Sequence, residues 1–197
     1  MARILFVTHP EVVIDPAVPV PRWPLSALGL ARMEAFAGRL AGQAVTGVWS
    51  SDEQKAQDGA LVLSRRLSAP HHIEARLGEN DRSATGYLAP PEFWEVVDAL
   101  FSHPDQSVRG WETARHAQAR IVAGVDRVAA EAGPGLTVVV SHGGVGRLLM
   151  AHLLGVAIGQ EPQPGNPGGG CYIEFEQDRL RLVSPDWRDI EDYGAPT

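Results

Sequence analysis

Two histidines stand directly after short apolar runs that are typical of buried strands. His9 follows Ile4–Val7 by one residue, and His142 follows Thr137–Val140 by one residue. An imidazole has an ordinary pKa of about 6.5, so near neutral pH it can attack as a nucleophile or transfer a proton. The two histidines therefore indicate chemistry at the end of two strands.

The residues around these histidines favour a phosphoryl group as the target. Gly143–Gly144 opens an apolar helix predicted over 145–154, and the N–H groups at a helix start suit an oxyanion. Protonation of a leaving oxygen needs an acid, and the loop after residue 77 offers Glu79 and Asp81 together with Arg82. The residue types alone leave either carboxylate open as the acid.

The apolar patterning predicts strands alternating with helices. Strands are predicted at 4–7, 45–49, near 73 and at 137–140. Helices are predicted at 26–40, 92–101, 111–132 and 145–154, and a further helix is predicted to be capped by residues 50–52 and to end at about residue 67. A hairpin of 171–175 with 180–183 and a solvated acidic tail at 186–192 follow. This order predicts an α/β fold with a mostly parallel sheet, as a single domain over 1–197. Ligands of such sheets bind beyond the carboxyl ends of the strands, where both histidines would lie.

Composition excludes several classes of protein. The chain has 17 Lys and Arg against 24 Asp and Glu, a formal net charge of −7, which argues against a nucleic acid partner. Its one cysteine, Cys171, excludes an internal disulfide. No apolar run approaches the roughly 20 residues that span a bilayer. We therefore expect a cytoplasmic protein without a membrane partner, and its oligomeric state stays open.

Five segments resemble, in order and spacing, the histidine phosphatase superfamily of phosphoglycerate-mutase-like proteins. They are Val7–Glu11, Pro24–Gly29, Ser50–Asp52, Leu77–Glu79 and Val140–Gly144. The resemblance implies a three-layer α/β/α fold and a reaction that uses no metal or cofactor. It also implies that His9 becomes phosphorylated, that His142 helps to hold the phosphoryl group, and that Glu79 is the proton donor.

The sequence departs from the family pattern at two positions that bind phosphate. Thr8 precedes His9 where the family has arginine, and Lys55 takes the place of a second arginine on the helix after Ser50–Asp52. A lysine supplies a point charge but lacks the planar fork that binds phosphate through two hydrogen bonds. We still expect both positions, Thr8 and Lys55, to lie in the phosphate site.

Three arginines are candidates to replace the missing charge. Arg82 is the first choice because its loop also carries the expected acid, and Arg22 and Arg147 are the alternatives. The backbone N–H of Gly143 would bind a further phosphoryl oxygen. The predicted site thus holds Thr8, Lys55, Arg82 and Gly143 around the two histidines and Glu79.

The resemblance and the residues together predict hydrolysis of a small phosphate monoester through a phosphohistidine at His9. A phosphomutase is less favoured because it must retain a phosphorylated intermediate with additional cations. A protein that binds phosphorylated ligands without turnover is the other alternative, since two arginines are replaced.

Two further motifs are interpreted as structural. Residues 144–149 begin like a dinucleotide-binding fingerprint, but Leu149 stands where a small residue is required and no acidic partner follows at the usual distance. An oxidoreductase is therefore the least favoured alternative. His71–His72 with Glu74 lacks a third metal ligand at a recognisable spacing, so we interpret the pair as the start of a strand.

Overall fold

The computed structural model describes residues 2–194 and contains six strands and five α-helices. The strands are β1 (Arg3–Thr8), β2 (Val45–Ser50), β3 (His71–Ile73), β4 (Leu136–Ser141), β5 (Cys171–Glu176) and β6 (Arg188–Asp189). The helices are α1 (Ala27–Arg39), α2 (Gln54–Leu67), α3 (Pro90–Ser102), α4 (Ala114–Glu131) and α5 (Gly143–Leu154). Three single turns of 3-10 helix lie at Val20–Arg22, Ala75–Leu77 and Ile190–Asp192.

The strands form one mixed sheet in the order β3-β2-β4-β1-β5-β6. The first four strands in this order are parallel, whereas β5 and β6 each pair antiparallel with their neighbour. This confirms the predicted, mostly parallel α/β sheet. Thr8 pairs in register with Ser141, so the residues that follow them, His9 and His142, leave the sheet side by side.

Alternating residues of the central strand separate two apolar cores. Ile4 and Phe6 of β1 pack in one core with residues of α3, α4 and α5, whereas Leu5 and Val7 pack in the other with residues of α1 and α2. Because successive side chains of a strand point to opposite faces, helices cover both sides of the sheet. The predicted three-layer α/β/α arrangement is confirmed.

Helix starts follow the local chemistry with two exceptions. Ser26 caps α1 as predicted, with its hydroxyl accepting from the Gly29 N–H at 3.0 Å. The helix expected from Trp111 begins at Ala114 because the Thr113 side chain caps it. The cap expected at 50–52 is wrong, since Ser50 ends β2 and α2 begins only after Glu53.

The C-terminal part differs most from expectation. The second strand of the predicted hairpin, at 180–183, is reduced to one isolated bridge between Phe175 and Leu182, and β6 occupies the sheet edge beside β5. The acidic tail at 186–192 is not a solvated terminus, because Ile190 is fully buried among residues of α1 and β5. One apolar side chain within an acidic segment thus anchors the tail on the sheet.

A buried arginine fixes this tail to the loop before β5. Arg32 of α1 forms ion pairs with Asp189 and Glu191, and its guanidinium also donates to the Gly169 carbonyl at 3.1 Å. A buried guanidinium is tolerated when its N–H groups find such partners. Arg32 therefore links α1, the tail and the loop 161–170.

No helix among residues 2–194 is long and apolar enough to cross a membrane.

Candidate active site

His9 follows β1, and one of its two ring nitrogens forms a hydrogen bond within the protein. Its Nδ1 lies 2.8 Å from the carbonyl oxygen of Pro10, and a carbonyl only accepts, so Nδ1 carries the hydrogen. Nε2 therefore keeps its lone pair. Burial lowers the pKa of His9 to about 4, so the ring is neutral near pH 7. A neutral imidazole with a free Nε2 is the form that can attack phosphorus.

The second histidine lies against the first. The ring centres of His9 and His142 are 5.1 Å apart, with the ring planes at 72°. His142 Nε2 lies 2.8 Å from the hydroxyl of Ser51, and burial lowers the pKa of His142 to about 3. Its Nδ1 is buried and has no hydrogen-bond partner within residues 2–194. Since buried polar atoms are nearly always paired, such an atom beside His9 is a candidate contact for a ligand.

The carboxylate of Glu79 occupies the start of α5. It accepts hydrogen bonds from the backbone N–H groups of Gly144 and Val145, each at 3.0 Å, and from that of Asn80 at 3.0 Å. The positive end of the helix dipole favours a carboxylate at this place. The start of α5, predicted to hold an oxyanion, thus binds the expected acid at Gly144 and Val145. Gly143 lines the same cavity as His9 and Glu79.

Asp81, the alternative acid, points elsewhere. Its side chain accepts from the N–H of Ser83 at 2.8 Å in a local turn, and the residue is exposed. Asp81 does not line the cavity that holds His9, whereas Glu79 does. Geometry therefore favours Glu79 over Asp81 as the group able to reach a ligand at His9.

Glu53 is a site residue that the sequence did not reveal. It is buried, forms an ion pair with Lys55, accepts from the Glu79 N–H at 2.8 Å and lies 3.5 Å from His142 Nε2. Burial would raise its pKa, but the attraction of neighbouring positive charge and the hydrogen bonds outweigh burial and lower the pKa to about 2. Because His142 is neutral near pH 7, the lasting charge opposite Glu53 is that of Lys55. The only signal in the sequence was its place between Ser51 and Lys55.

Lys55 has contacts different from those expected. Its ammonium donates to Glu53 and, at 2.9 Å, to the carbonyl oxygen of Val20, and the residue is 3% exposed. It does not line the His9 cavity. Its charge is therefore compensated inside the protein, and its contact with Val20 fixes the proline-rich loop to α2.

Thr8 also uses its side chain within the fold. Its hydroxyl accepts from the Cys171 N–H at 3.0 Å and lies 3.3 Å from the Cys171 carbonyl, which ties β1 to the start of β5. Just before β5, Gly170 donates its N–H to the Thr8 carbonyl at 3.1 Å. The adjacent Gly169 has φ +70°, and a Cβ there would lie 2.1 Å from the His9 carbonyl oxygen, so only glycine fits. The Thr8 hydroxyl thus has a structural contact, and because Thr8 also lines the cavity that contains His9 and Glu79, its contact with phosphate stays a prediction.

A cavity of about 510 Å³ opens above His9, and we call it the His9 cavity. Its polar lining comes from Thr8, His9, Glu11, Glu79, Asn80, Arg82, Gly143, Gly144, Arg147, Gln163 and Asn166. Its apolar lining comes from Val12, Ile14, Phe93, Trp94, Val97, Leu100 and Phe101, with prolines 10, 164 and 167. The structure thus brings Arg82 and Arg147 to this cavity, whereas the third candidate, Arg22, is exposed and does not line it.

A second cavity of about 810 Å³ lies on the other side of residues 79–82, and we call it the acidic cavity. Its charged lining residues are Asp52, Glu53, Glu79, Asp81, Arg82, Glu112 and Arg120. Arg120 was also missed by the sequence analysis. Its guanidinium pairs with Glu112 and donates to the carbonyl oxygens of residues 76, 78 and 79, which fixes the backbone that carries Glu79.

The paired histidines of β3 have structural contacts. His71 Nε2 lies 2.8 Å from the hydroxyl of Ser50, and the ring of His72 stacks on Trp49 with centres 4.7 Å apart. Residues 2–194 contain no group of three or more His, Cys, Asp or Glu side chains that could hold a metal ion. We therefore place no ligand at β3.

Solved structures share this fold. A mycobacterial glucosyl-3-phosphoglycerate phosphatase matches with a TM-score of 0.74 and 20% identity over 94% of this chain and 95% of its own. Bacillus stearothermophilus YhfR matches with a TM-score of 0.77 and 19% identity over 97% and 100%. A putative alpha-ribazole-5'-P phosphatase from Escherichia coli matches with a TM-score of 0.66 and 22% identity over 95% of each chain.

Sequence comparison identifies the family. No curated protein sequence matches this chain at a significant level. The model of the histidine phosphatase superfamily (branch 1) matches residues 20–188, a range that includes Glu79 and His142 and begins after His9. The chain belongs to the histidine phosphatase superfamily, branch 1.

Proposed function

We propose that the protein is a phosphohydrolase that removes the phosphoryl group from a small phosphate monoester through a phosphohistidine at His9. One observation carries the proposal: His9 has its Nδ1 hydrogen bonded to the Pro10 carbonyl, and so its Nε2 lone pair is free at the floor of a cavity. Family membership and the phosphatase names of two structural neighbours support the same reaction class.

The first step forms a bond between His9 Nε2 and phosphorus. The lone pair of Nε2 attacks, the bond between phosphorus and the ester oxygen breaks, and the leaving oxygen takes a proton from Glu79, whose carboxylate accepts that proton from the phosphate monoanion when the substrate binds. Three backbone N–H groups fix the orientation of that carboxyl, so it does not need to reorient. The free alcohol then leaves the cavity.

The second step returns the enzyme to its starting state. Water attacks phosphorus and gives its proton to the Glu79 carboxylate, while the phosphorus–nitrogen bond breaks and its electron pair returns to Nε2. Inorganic phosphate takes this proton as it is released, and Glu79 is again a carboxylate. The same carboxyl group thus acts first as acid and then as base.

Several groups around His9 would stabilise the phosphoryl oxygens. Arg82 lines the cavity and supplies positive charge. Burial and the charges of Lys55 and Arg82 lower the pKa of His9, whereas the Pro10 hydrogen bond and the charge of Glu53 raise it. The Gly143 backbone lies at the α5 start beside Glu79. Asn80 Nδ2 and His142 Nδ1 are buried atoms without a partner within residues 2–194, and both belong to residues beside this site. A phosphoryl group is the kind of ligand that could pair with them.

The shortage of cations favours hydrolysis over phosphoryl transfer between two positions of a substrate. Lys55 is compensated by Glu53, and Arg147 is paired with Glu161 at 2.8 Å. A mutase needs additional positive charge to retain a phosphorylated intermediate. The orientation of His9 and Glu79 in one cavity favours catalysis over binding alone.

Phosphate release from p-nitrophenyl phosphate between pH 5 and 8, in buffer containing EDTA, tests the proposal. We expect turnover by the wild type, none above background by His9→Ala, and an acid-labile phosphate on the protein when the reaction is quenched at high pH. Equal release by the two proteins would overturn the enzymatic proposal. Binding of phosphate with no turnover in either protein would favour the non-catalytic alternative.

A further inference from the structure

One wall of the His9 cavity is apolar and unusually exposed. Ile14, on the loop after β1, is 58% exposed, and Trp94, on α3, is 59% exposed, and both line this cavity. Phe93 and Val97 add partly buried surface beside Trp94. Large apolar side chains left in water around a reactive group mark a surface that binds apolar matter.

The guanidinium groups of the cavity lie over aromatic rings. The Arg82 guanidinium carbon is 5.3 Å from the centre of the Phe93 ring and 5.6 Å from that of Trp111. The Arg147 guanidinium carbon is 3.7 Å from the centre of the Phe101 ring. Stacking of this kind favours a cation that is poorly solvated.

Positive charge in the His9 cavity suffices for one phosphoryl group. Arg82 and Arg147 are the cationic side chains in its lining, and Glu11 and Glu79 are the carboxylates. Glu161, which is buried, takes up the charge of Arg147 through two contacts of 3.0 and 2.8 Å. A second anionic group on the substrate would therefore meet no uncompensated cation among the described lining residues.

We propose that the preferred substrate is the phosphate monoester of an uncharged, largely apolar alcohol whose hydrocarbon part packs between Ile14 and Trp94. This inference rests on the proposed function, because it describes the leaving group of the reaction at His9. Phosphorylated sugars and phosphorylated carboxylic acids would gain little from this wall, since they expose hydroxyl or carboxylate groups to it.

A matched set of alkyl esters tests the inference without the bias of an activated leaving group. We would measure kcat/KM for 2-phenylethyl phosphate, glycerol 3-phosphate and 3-phosphoglycerate. Burial of a phenyl group predicts a preference of about tenfold to a hundredfold for 2-phenylethyl phosphate. A preference for glycerol 3-phosphate or 3-phosphoglycerate would overturn the inference while leaving the proposed function intact.

Removal of the exposed ring should reduce this preference. We expect Trp94→Ala to reduce the ratio of kcat/KM for 2-phenylethyl phosphate over glycerol 3-phosphate about tenfold, mainly by raising KM for the apolar ester. Leu61→Ala is the control, because Leu61 is a partly exposed apolar residue of α2 outside the cavity. An unchanged ratio in Trp94→Ala, with a native circular dichroism spectrum, would overturn the role of this wall.

Binding of phosphonates separates the inference from the proposed function. We would titrate 2-phenylethylphosphonate and 3-phosphonopropionate calorimetrically, since neither can be hydrolysed. If 2-phenylethylphosphonate binds more tightly than 3-phosphonopropionate but none of the phosphate esters is hydrolysed, the proposed phosphohydrolase activity is overturned and the preference for an apolar ligand is supported. Equal or weaker binding of 2-phenylethylphosphonate would overturn the ligand class whatever the enzyme hydrolyses.

Discussion

The two cavities share Glu79, Asn80 and Arg82 in their linings and differ in the charge of the other lining residues. The His9 cavity contains neutral imidazole, an apolar wall and two stacked guanidinium groups, whereas the acidic cavity adds Asp52, Glu53, Asp81 and Glu112 against one further cation, Arg120. The acidic cavity is the larger, at about 810 Å³ against about 510 Å³. Carboxylates repel a phosphate dianion, so the smaller cavity is the one suited to the ligand. The types of group in the lining, not the volume, are the reason why we propose the His9 cavity as the site of the reaction.

The largest effect should come from the nucleophile of the His9 cavity. His9→Asn removes Nε2, the proposed nucleophilic atom, and should reduce kcat by about 10⁴-fold or more. Turnover of p-nitrophenyl phosphate measures the effect. His152→Asn is the matched control, since His152 is exposed at the far end of α5. Comparable losses of kcat in His9→Asn and His152→Asn would contradict a specific role of the His9 cavity in turnover.

The second largest effect on kcat should come from Glu79, the proposed acid, which lines both cavities. Glu79→Gln keeps one oxygen, which can accept from the N–H of Gly144 or of Val145 but not from both, and it cannot donate or accept the proton, so kcat should fall by about 10³-fold. The decrease should be smaller for p-nitrophenyl phosphate than for an alkyl ester, because nitrophenolate leaves without protonation. Equal decreases for both esters would argue against the role of Glu79 as the acid.

The ion pair between the cavities should affect stability. Glu53→Gln leaves the buried Lys55 ammonium without its partner and should lower the free energy of unfolding by about 3 kcal/mol. Denaturant titration measures the change, and Glu53→Gln/Lys55→Met should recover more than half of it. Glu34→Gln is the control, because its pair with Arg66 is exposed and should contribute less than about 1 kcal/mol. A loss in Glu53→Gln no larger than this control would contradict the burial of the charge.

Protonation of His9 should reduce kcat/KM only at low pH. Protonation of His9 removes the lone pair of Nε2, and burial lowers its pKa to about 4. The kcat/KM should therefore be independent of His9 ionisation from pH 5 to 8 and fall about tenfold per pH unit below the pKa. The profile should be recorded with circular dichroism at each pH to exclude unfolding. An acidic limb at pH 6.5 would contradict the burial of the ring.

The smallest effect is expected on the acidic side. Asp81→Asn should change kcat less than about twofold, because Asp81 is exposed, accepts from Ser83 and does not line the His9 cavity. The same assay as for Glu79→Gln makes the comparison direct. A loss near that of Glu79→Gln would transfer the acid to Asp81 and break the division between the two cavities.

Sequence periodicity and the chemistry of strand ends were sufficient for the sheet, for the helix layers and for the juxtaposition of His9 with His142. The contacts of Lys55 were not predictable, because its partner Glu53 looked like part of a helix start. The tail at 186–192 was missed since a single buried residue, Ile190, outweighs an acidic composition. Residues 180–183 were predicted to pair with β5, but β6 pairs with it instead, because this pairing depends on tertiary contacts that the local sequence does not encode.

The link from Arg32 to Gly169 has a practical consequence for anyone who alters the end of the chain. Asp189 and Glu191 neutralise Arg32, and Arg32 in turn binds the carbonyl of Gly169, which lies directly behind His9. A fusion or deletion that displaces Asp189 would leave a buried guanidinium competing for new partners behind the nucleophile. For protein engineering, the C-terminal segment therefore supports the loop that lines the His9 cavity, although it does not line the cavity itself.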